Sequence, residues 1–299
     1  MLKRTLHFGS PAYLRVQNKQ LVVELPDKKE THTVHIEDIG VVVLENPQIT
    51  ISHSALSLLL ENNAAVITCN NSYLPNGLFL PLEGNYLQSE RFRHQQGASL
   101  PLKKQLWQQT VIAKINNQAL LLSSQGQAIE PMLRWAGLVK SGDPENLEAR
   151  AAAFYWTKVF PQIPAFCRDR SGVPPNNMLN YGYAILRACT ARSLTAAGLL
   201  PTMGIHHHNR YNAYCLADDI MEPYRPFVDM LVAEMTEREC PPEILEKKHK
   251  EQLLKLLQLD VYIEGKTSPL MLALQATSIS LTRCFAGDSR KITYPALKL

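Results

Sequence analysis

The chain has 299 residues, six cysteines and a formal net charge of +4, and 45% of its residues are hydrophobic. This length exceeds what one small core needs and favours two domains, while the composition excludes fibrous and disordered classes. The positive excess lies wholly beyond residue 80, because residues 1–80 hold six Lys and Arg against seven Asp and Glu. Such an excess is compatible with a nucleic-acid partner but is equally typical of a solvated surface.

The cysteines and the apolar runs bear on the compartment. The six cysteines are scattered without a C-x-x-C pair, which is typical of reduced thiols. No run approaches the roughly 18 apolar residues of a membrane span. The basic residues near the start are followed by no apolar run, so no signal peptide is expected. We therefore expect a cytoplasmic protein without a membrane partner.

Residues 1–72 are predicted to form a β-rich, sandwich-like domain. Asn18 and Lys19 form a tight joint between two apolar runs, and residues 52–61 repeat apolar side chains at helical spacing. Turn residues are dense after residue 70, so residues 73–84 are predicted to be a linker. Strands are predicted at 13–16, 20–25, 33–36, 40–44 and 65–68.

Residues 85–299 are predicted to form a larger, all-helical domain, which makes the fold class α+β. The Asp143-Pro144 pair predicts a helix start with an acidic cap and a proline in the first turn. Further helices are predicted at 102–122, 127–138, 178–197, 241–258 and 268–285. The first of these carries an apolar stripe formed by Leu106, Val111, Ile115, Ala119 and Leu122.

Residues 204–226 combine three histidines, three acids and two prolines. Asp219 and Glu222 stand at i and i+3, so on a helix they share a face, and two adjacent carboxylates favour a cation between them. If that helix is continuous, Pro223 and Pro226 leave two backbone carbonyls free; alternatively, Glu222-Pro223 marks a helix start.

The histidines cannot all bind one ion, because adjacent side chains point in different directions. Their alternatives are a polar loop or an adventitious chelating tract. Oxygen ligands with one imidazole suit magnesium or manganese better than structural zinc, and such ions serve phosphate chemistry. The chain lacks H-E-x-x-H, G-x-S-x-G and both glycine-rich nucleotide motifs, which argues against a zincin, an α/β-hydrolase and nucleotide-binding folds.

Glu148 lies on a second predicted helix. The alanines at 151–153 let another helix approach closely, which would partly bury this carboxylate, while the alternative is a surface glutamate near a helix N-terminus. Basic side chains elsewhere, including Lys103, Lys104 and Lys114, are available for phosphates, although each alone is also typical of a solvated charge. The candidates for DNA contact are Arg168, Arg170, Arg210 and Arg225.

These motifs resemble the Cas1 family of CRISPR-associated endonucleases and integrases. The resemblance rests on Gly204-x-x-His207, on the run from Leu216 to Asp229, on residues 146–149 with Tyr155-Trp156, and on residues 180–186. It covers nearly the whole chain, and the variant most resembles those that accompany Cas9 in type II systems.

The resemblance implies a metal site with Glu148, His207 and Glu222 as catalytic ligands and Asp219 as an accessory acid. It selects His207 as the fourth residue of G-x-x-H, and many relatives have aspartate where Glu222 stands. It further implies a prokaryotic, magnesium- or manganese-dependent enzyme that joins 3′ ends of short DNA duplexes to the CRISPR repeat by in-line transesterification. The implied partners are double-stranded DNA, a second copy of the chain, the bridging subunit Cas2, and Cas9.

Two other hypotheses remain at this point. One is a non-catalytic DNA-binding subunit of the same assembly, which would bind DNA without cutting or joining it. The other is a zinc hydrolase built on residues 206–208, which the spacing disfavours.

Overall fold

The strands predicted in the first part of the chain belong to two four-stranded sheets. The structure is a computed structural model that describes residues 3–298. Its first unit ends at Tyr86 and contains one α-helix, α1 (His53–Glu61), among the residues that the structure describes. The strands are β1 (Arg4–Phe8), β2 (Tyr13–Gln17), β3 (Gln20–Leu25), β4 (Glu30–His35), β5 (Ile39–Leu44), β6 (Thr50–Ile51), β7 (Ala65–Cys69) and β8 (Pro75–Phe79).

One sheet has the order β1-β5-β7-β8 and the other has the order β4-β3-β2-β6. Strands β2 and β3 meet at the predicted joint, where Asn18 and Lys19 both have positive φ, at 51° and 58°. Both sheets and α1 contribute to one hydrophobic cluster, which includes Leu21, Val42 and Leu59. Burial of these apolar side chains stabilises the unit.

The predicted linker at residues 73–84 is wrong in part, because β8 pairs antiparallel with β7. The turn residues that suggested a linker close this hairpin. The side chain of Asn70 accepts hydrogen bonds from the backbone N–H groups of Ser72 and Leu74, both at 3.0 Å. The two units divide between Tyr86 and Leu87.

The second unit is built mainly from helices. Helices α3 and α6 carry many of its buried side chains, and the predicted stripe on α3 is fully buried, as Leu106, Val111 and Ile115 illustrate at 0% exposure. The helices are α2 (Gln88–Gly97), α3 (Leu100–Ser124), α4 (Glu130–Leu138), α5 (Leu147–Trp156), α6 (Asn176–Ala196), α7 (Cys215–Met221), α8 (Arg225–Arg238), α9 (Lys247–Leu254) and α10 (Leu270–Ala286).

The prediction of an all-helical second domain is wrong in one place. Strands β9 (Asp260–Ile263) and β10 (Lys266–Pro269) form an antiparallel hairpin. Its turn consists of Glu264 and Gly265, both with positive φ, a conformation that suits a two-residue hairpin turn. The strands are only four residues long, so alternation was too short to reveal them. Among residues 3–298, no helix has the length and apolar character that crossing a membrane requires.

Candidate functional site

Glu148 lies in the first turn of α5, which Asp143 caps from outside the helix. The carboxylate of Asp143 accepts the backbone N–H groups of Leu147 and Glu148, each at 2.9 Å. The helix therefore begins at Leu147, later than Pro144, because the capping side chain reaches across a turn in which Asn146 has a φ of 51°. The Glu148 side chain is 27% exposed and pairs with Lys114.

Glu222 lies at the join between α7 and α8. A single 3-10 turn, Glu222–Tyr224, connects the two helices, so Pro223 lies in the first turn of a new helical segment and Pro226 in the first turn of α8. The predicted free carbonyls are wrong, because the carbonyl of Asp219 accepts the backbone N–H of Glu222 and that of Glu222 accepts the backbone N–H of Arg225. The carbonyl of Pro223 accepts a hydrogen bond of 2.8 Å from the Asn117 amide on α3.

Lys114, near the middle of α3, brings the two glutamates together. Its ammonium donates a hydrogen bond to Glu148 Oε1 and lies 2.6 Å from Glu222 Oε2. The second contact is an ion pair as well, and it is the contact that Glu222 Oε2 makes within the described residues. Burial acts to lower the pKa of Lys114, but the charges of Glu222 and Glu148 outweigh it and raise the pKa. The lysine is therefore charged at neutral pH.

The other carboxylate oxygen of Glu222 accepts a hydrogen bond from Arg225. The Arg225 Nε donates to Glu222 Oε1 at 2.8 Å, and its guanidinium lies 4.6 Å from the ring centre of Tyr183. Burial acts to raise the pKa of Glu222, but the cations Arg225 and Lys114 together outweigh it and lower the pKa to about 2. Glu222 is therefore ionised throughout the physiological range.

His207 is held by Asp219. The fully buried carboxylate of Asp219 accepts three consecutive backbone N–H groups, those of Ile205, His206 and His207, at 2.7, 2.9 and 3.2 Å. It also lies 2.5 Å from His207 Nδ1, and this hydrogen bond is the main cause of the raised pKa of His207. With Nδ1 directed at Asp219, the Nε2 atom of His207 faces away and makes no hydrogen bond within the described chain.

Gly204 makes this close packing possible. A Cβ atom at this position would lie 2.4 Å from the carbonyl oxygen of His207 and 2.8 Å from Asp219 Oδ2. Both neighbours are fixed, one in the backbone and one by its hydrogen bonds, so a side chain cannot be accommodated without displacement. The motif G-x-x-H therefore needs glycine at position 204, because the His207 carbonyl and the Asp219 carboxylate come so close to its Cα.

The other two histidines have different surroundings. The ring of His206 stacks on Trp107 with the centroids 4.0 Å apart, and burial is the main cause of its lowered pKa. His208 is exposed. All three histidines are exposed, and they differ in their partners, because His206 stacks on Trp107 and His207 is held by Asp219.

Asp218 has a structural role. Its carboxylate is buried and pairs with Arg187 through two hydrogen bonds of 2.6 and 3.0 Å, and it accepts a third from Asn212 at 2.7 Å. This arrangement ties α7 to α6. Asp218 therefore belongs to the packing between helices, unlike its neighbour Asp219.

Two of the arginines predicted to contact DNA have partners inside the second unit. Arg168 donates to the side-chain oxygens of Asn176 and Asn180 at 2.8 and 2.7 Å, and its guanidinium lies 5.4 Å from the ring centre of Tyr183. Arg225 is engaged by Glu222 and the same ring. Both guanidinium groups thus bind side chains of the second unit.

The other two arginines are exposed. Arg170 lies in the loop that Arg168 organises. Arg210 borders a cavity of about 290 Å³ beside His207, whose lining also includes Lys103 and His208. These two positions offer positive charge to solvent within the second unit.

The donor set suits a divalent cation, although the ligands do not surround one point. Glu148 and Glu222 supply carboxylate oxygens that a lysine ammonium already binds. A histidine whose other nitrogen is held by a carboxylate is typical of metal ligands. His207 is close enough to Glu222 for the charge of each to shift the pKa of the other. Between residues 3 and 298, no three His, Cys, Asp or Glu side chains are already arranged around one position.

The geometry changes the description of Asp219, which was predicted to be an accessory ligand. Its two oxygens accept four hydrogen bonds from the 205–207 segment, and it is fully buried. Asp219 therefore acts as the residue that orients His207. In this structure its oxygens are occupied by backbone and ring N–H groups.

Sequence reasoning missed the role of Lys114, which it treated as one of several possible phosphate contacts. A signal was present in α3: Thr110, Lys114 and Asn117 recur at helical spacing beside the apolar stripe, and all three are buried. Polar side chains along a helix that is buried on most of its faces indicate polar partners in the interior.

Comparison with known proteins identifies the family. The sequence profile described as CRISPR associated protein Cas1 matches residues 7–256. A CRISPR-associated endonuclease Cas1 from Neisseria meningitidis serogroup C (strain 8013) is 38% identical over 266 residues, which cover 88% of this chain and 86% of that protein. The chain belongs to the Cas1 family.

Solved structures share the fold. A casposase bound to integration product superposes with a TM-score of 0.77 at 20% identity, covering 98% of this chain and 92% of that one. A chain of a Cas6-RT-Cas1–Cas2 complex gives a TM-score of 0.74 at 21% identity, covering 99% of this chain and 36% of that longer one. Sheets in the first part and helices in the second are thus common to this chain and to these structures.

Proposed function

We propose that the chain is a magnesium- or manganese-dependent DNA endonuclease and integrase that joins the 3′ ends of short duplexes to a CRISPR repeat. The observation that carries the proposal is the grouping of Glu148, Glu222 and His207 from three separate segments, with His207 fixed by Asp219. The endonuclease name of the Neisseria relative and the integration product bound to the casposase support the same class of reaction.

Each residue has a defined role in this proposal. The Nδ1–H of His207 donates to Asp219, which leaves the lone pair of Nε2 available as a ligand. Glu148 and Glu222 supply carboxylate oxygens. A bound magnesium or manganese ion would supply Lewis-acid activation of a hydroxyl and neutralise charge on the phosphate.

The reaction is an in-line transesterification. The 3′ oxygen of the incoming duplex forms a bond to a repeat phosphorus atom while the existing P–O3′ bond breaks. The attacking hydroxyl loses its proton, and the departing 3′ oxygen gains one. Hydrolysis is the same step with water as the nucleophile.

Partners follow from the charge distribution and from the related complexes. Arg170, Arg210 and Lys103 are available for DNA phosphates, whose contacts position a duplex without reading its sequence. The presence of Cas2 in the Cas6-RT-Cas1–Cas2 complex supports Cas2 as a partner. We extend the proposal to a homodimer, with Cas9 as a further partner.

A strand-transfer assay tests the proposal. Labelled duplex and a repeat-bearing plasmid are incubated with the chain and Cas2, with and without magnesium or manganese. Glu148→Ala and His207→Ala should each abolish joining, and Glu145→Ala is the matched control, since Glu145 is exposed and pairs with the exposed Lys140. Full joining by either site variant would refute the site. DNA binding by the wild-type chain without cutting or joining, with either metal, would favour the non-catalytic subunit.

A further inference from the structure

Lys114 occupies the space between Glu148 and Glu222. A metal ion bound by both glutamates would have to compete with its ammonium for their oxygens. The Lys114 side chain is 9% exposed and reaches Glu148 on α5 and Glu222 at the α7–α8 join. The three groups come from three segments that meet only in the folded chain. The ammonium therefore offsets the repulsion between the two carboxylates.

The neighbouring turns of α3 fix the position of Lys114. The hydroxyl of Thr110, one turn before it, lies 2.8 Å from the hydroxyl of Tyr294, and Asn117, one turn after it, donates to the carbonyl of Pro223. The backbone of α3 is thus anchored beside the Glu222 turn. With the backbone anchored, any change in the position of the ammonium has to come from rotation of the four-carbon side chain.

The ion pair differs from an ordinary buried salt bridge. Glu222 Oε2 has the Lys114 ammonium at 2.6 Å as its partner among the described residues, and the Glu148 side chain retains 27% exposure. Arg225 already satisfies the other oxygen of Glu222. Lys114 therefore contacts Glu148 Oε1 and Glu222 Oε2, the carboxylate oxygens that Arg225 does not bind.

We propose that Lys114 is a built-in counter-cation of Glu148 and Glu222, which competes with the divalent ion for the same carboxylate oxygens and thereby sets the metal affinity. The inference rests on the proposed function, since it requires a metal at these residues. An ammonium and a divalent ion repel strongly at such distances in a buried site, so both cannot occupy the space between the carboxylates. Metal binding then requires the lysine side chain to withdraw.

Direct measurement of Mn²⁺ binding tests this competition. The free Mn²⁺ signal in electron paramagnetic resonance is followed during titration of the full chain at fixed pH. Lys114→Met should bind Mn²⁺ about tenfold more tightly than wild type, because a competing charge is removed. The matched control is Lys104→Met, which removes an exposed lysine from the same helix and should leave the affinity unchanged.

A second readout is thermal unfolding with and without Mn²⁺. Without metal, Lys114→Met should unfold at a lower temperature than wild type, and Mn²⁺ should raise its midpoint more than that of wild type. A Lys114→Met chain that folds only in the presence of Mn²⁺ supports the proposal. A chain that stays unfolded at every Mn²⁺ concentration overturns it.

The outcomes separate the two proposals. If wild type binds Mn²⁺ and Glu148→Gln weakens that binding, the metal site holds; equal or weaker binding by folded Lys114→Met then overturns only the competition. If Glu148→Gln leaves Mn²⁺ binding unchanged, or if wild type binds none, the proposed metal site fails and the competition fails with it.

Discussion

The two halves of the candidate site are held by different forces. The histidine half consists of Gly204, His207 and Asp219, and the carboxylate half consists of Glu148, Glu222, Lys114 and Arg225. In the histidine half, a fully buried acid accepts three backbone N–H groups and one ring N–H. Such hydrogen bonds fix the backbone itself, so this half is formed by folding.

The carboxylate half is held by side-chain charges. Lys114 and Arg225 approach Glu222 from two sides, and Lys114 connects Glu222 to Glu148. Long cationic side chains move more easily than backbone segments, and their charges can be exchanged for others. The contrast shows that folding alone positions the His207 imidazole. The position of the two carboxylates depends on which cation lies between them.

Asp219→Asn should produce the largest effect, because it disrupts the histidine half at its centre. The neutral amide places donors against backbone N–H groups that need acceptors, so we expect a loss of about 4 kcal/mol in the free energy of unfolding. Urea denaturation measures this loss. The matched variant Asp218→Asn weakens a pair with a half-exposed arginine and should cost about 1 kcal/mol. Equal losses for the two variants would contradict the distinction.

Gly204→Ala should come next. The added methyl would lie 2.4 Å from a backbone oxygen and 2.8 Å from Asp219, so the segment must shift, at a cost of about 3 kcal/mol. Gly137→Ala in α4 is the control, because a Cβ there would meet open space, and helix propensity predicts a stabilisation of up to about 1 kcal/mol. Thermal and urea unfolding compare the two. A neutral Gly204→Ala would show that the histidine half is not tightly packed.

The carboxylate half should make the free energy of unfolding of the metal-free protein sensitive to acid. The pKa of Glu222 is lowered to about 2 in the folded chain, so its stabilising contribution is present above about pH 4.5 and is lost as the pH falls toward 2. At most about 3 kcal/mol is involved. Glu222→Gln should remove this part of the pH dependence. An unchanged slope between pH 4.5 and 2 would mean that Glu222 is not held by its cations.

The histidine half should respond in the opposite direction. The pKa of His207 is raised by Asp219, so its contribution is complete below its ordinary value near 6.5 and is lost as the pH rises through the folded value. Imidazole titration followed by NMR, compared between wild type and Asp219→Asn, should show the pKa falling in the variant. The two halves would then be weakened at opposite ends of the pH scale.

The sequence predicted the elements that repeat an apolar pattern and the residues that share a motif. The stripe on α3 is buried as expected, and the tight joint at Asn18 and Lys19 is present. Patterns failed where structure depends on a few residues: the β9–β10 hairpin has four-residue strands, and the turn residues after 70 close a hairpin.

The site was predictable to the extent that its residues lie close in the chain. Asp219 and Glu222 were predicted to share a helix face, but spacing could not show that one accepts the backbone N–H groups of residues 205–207 and the other pairs with Lys114 on α3. Lys114 was predicted only as a possible phosphate contact, because its carboxylate partners are distant in sequence. A buried charge can be identified only when the groups that neutralise it are known.

Asn117→Ala should have the smallest effect among the stability variants of the site. It tests whether the hydrogen bond from Asn117 to the backbone carbonyl of Pro223 holds the carboxylate half in place. The Asn117 side chain donates to the carbonyls of Pro223 and Pro295, at 2.8 and 3.0 Å, and accepts from the backbone N–H of Leu297 at 3.1 Å. Its loss leaves the carbonyl beside Glu222 without this donor in the interior, which should cost about 2 kcal/mol. Mn²⁺ affinity should fall as well, while the His207 imidazole signals stay in place, because Asp219 holds that ring and its contact on α3, Trp107, is far along the helix from Asn117. A shift of the His207 signals as large as in Gly204→Ala would show instead that the two halves move as one unit.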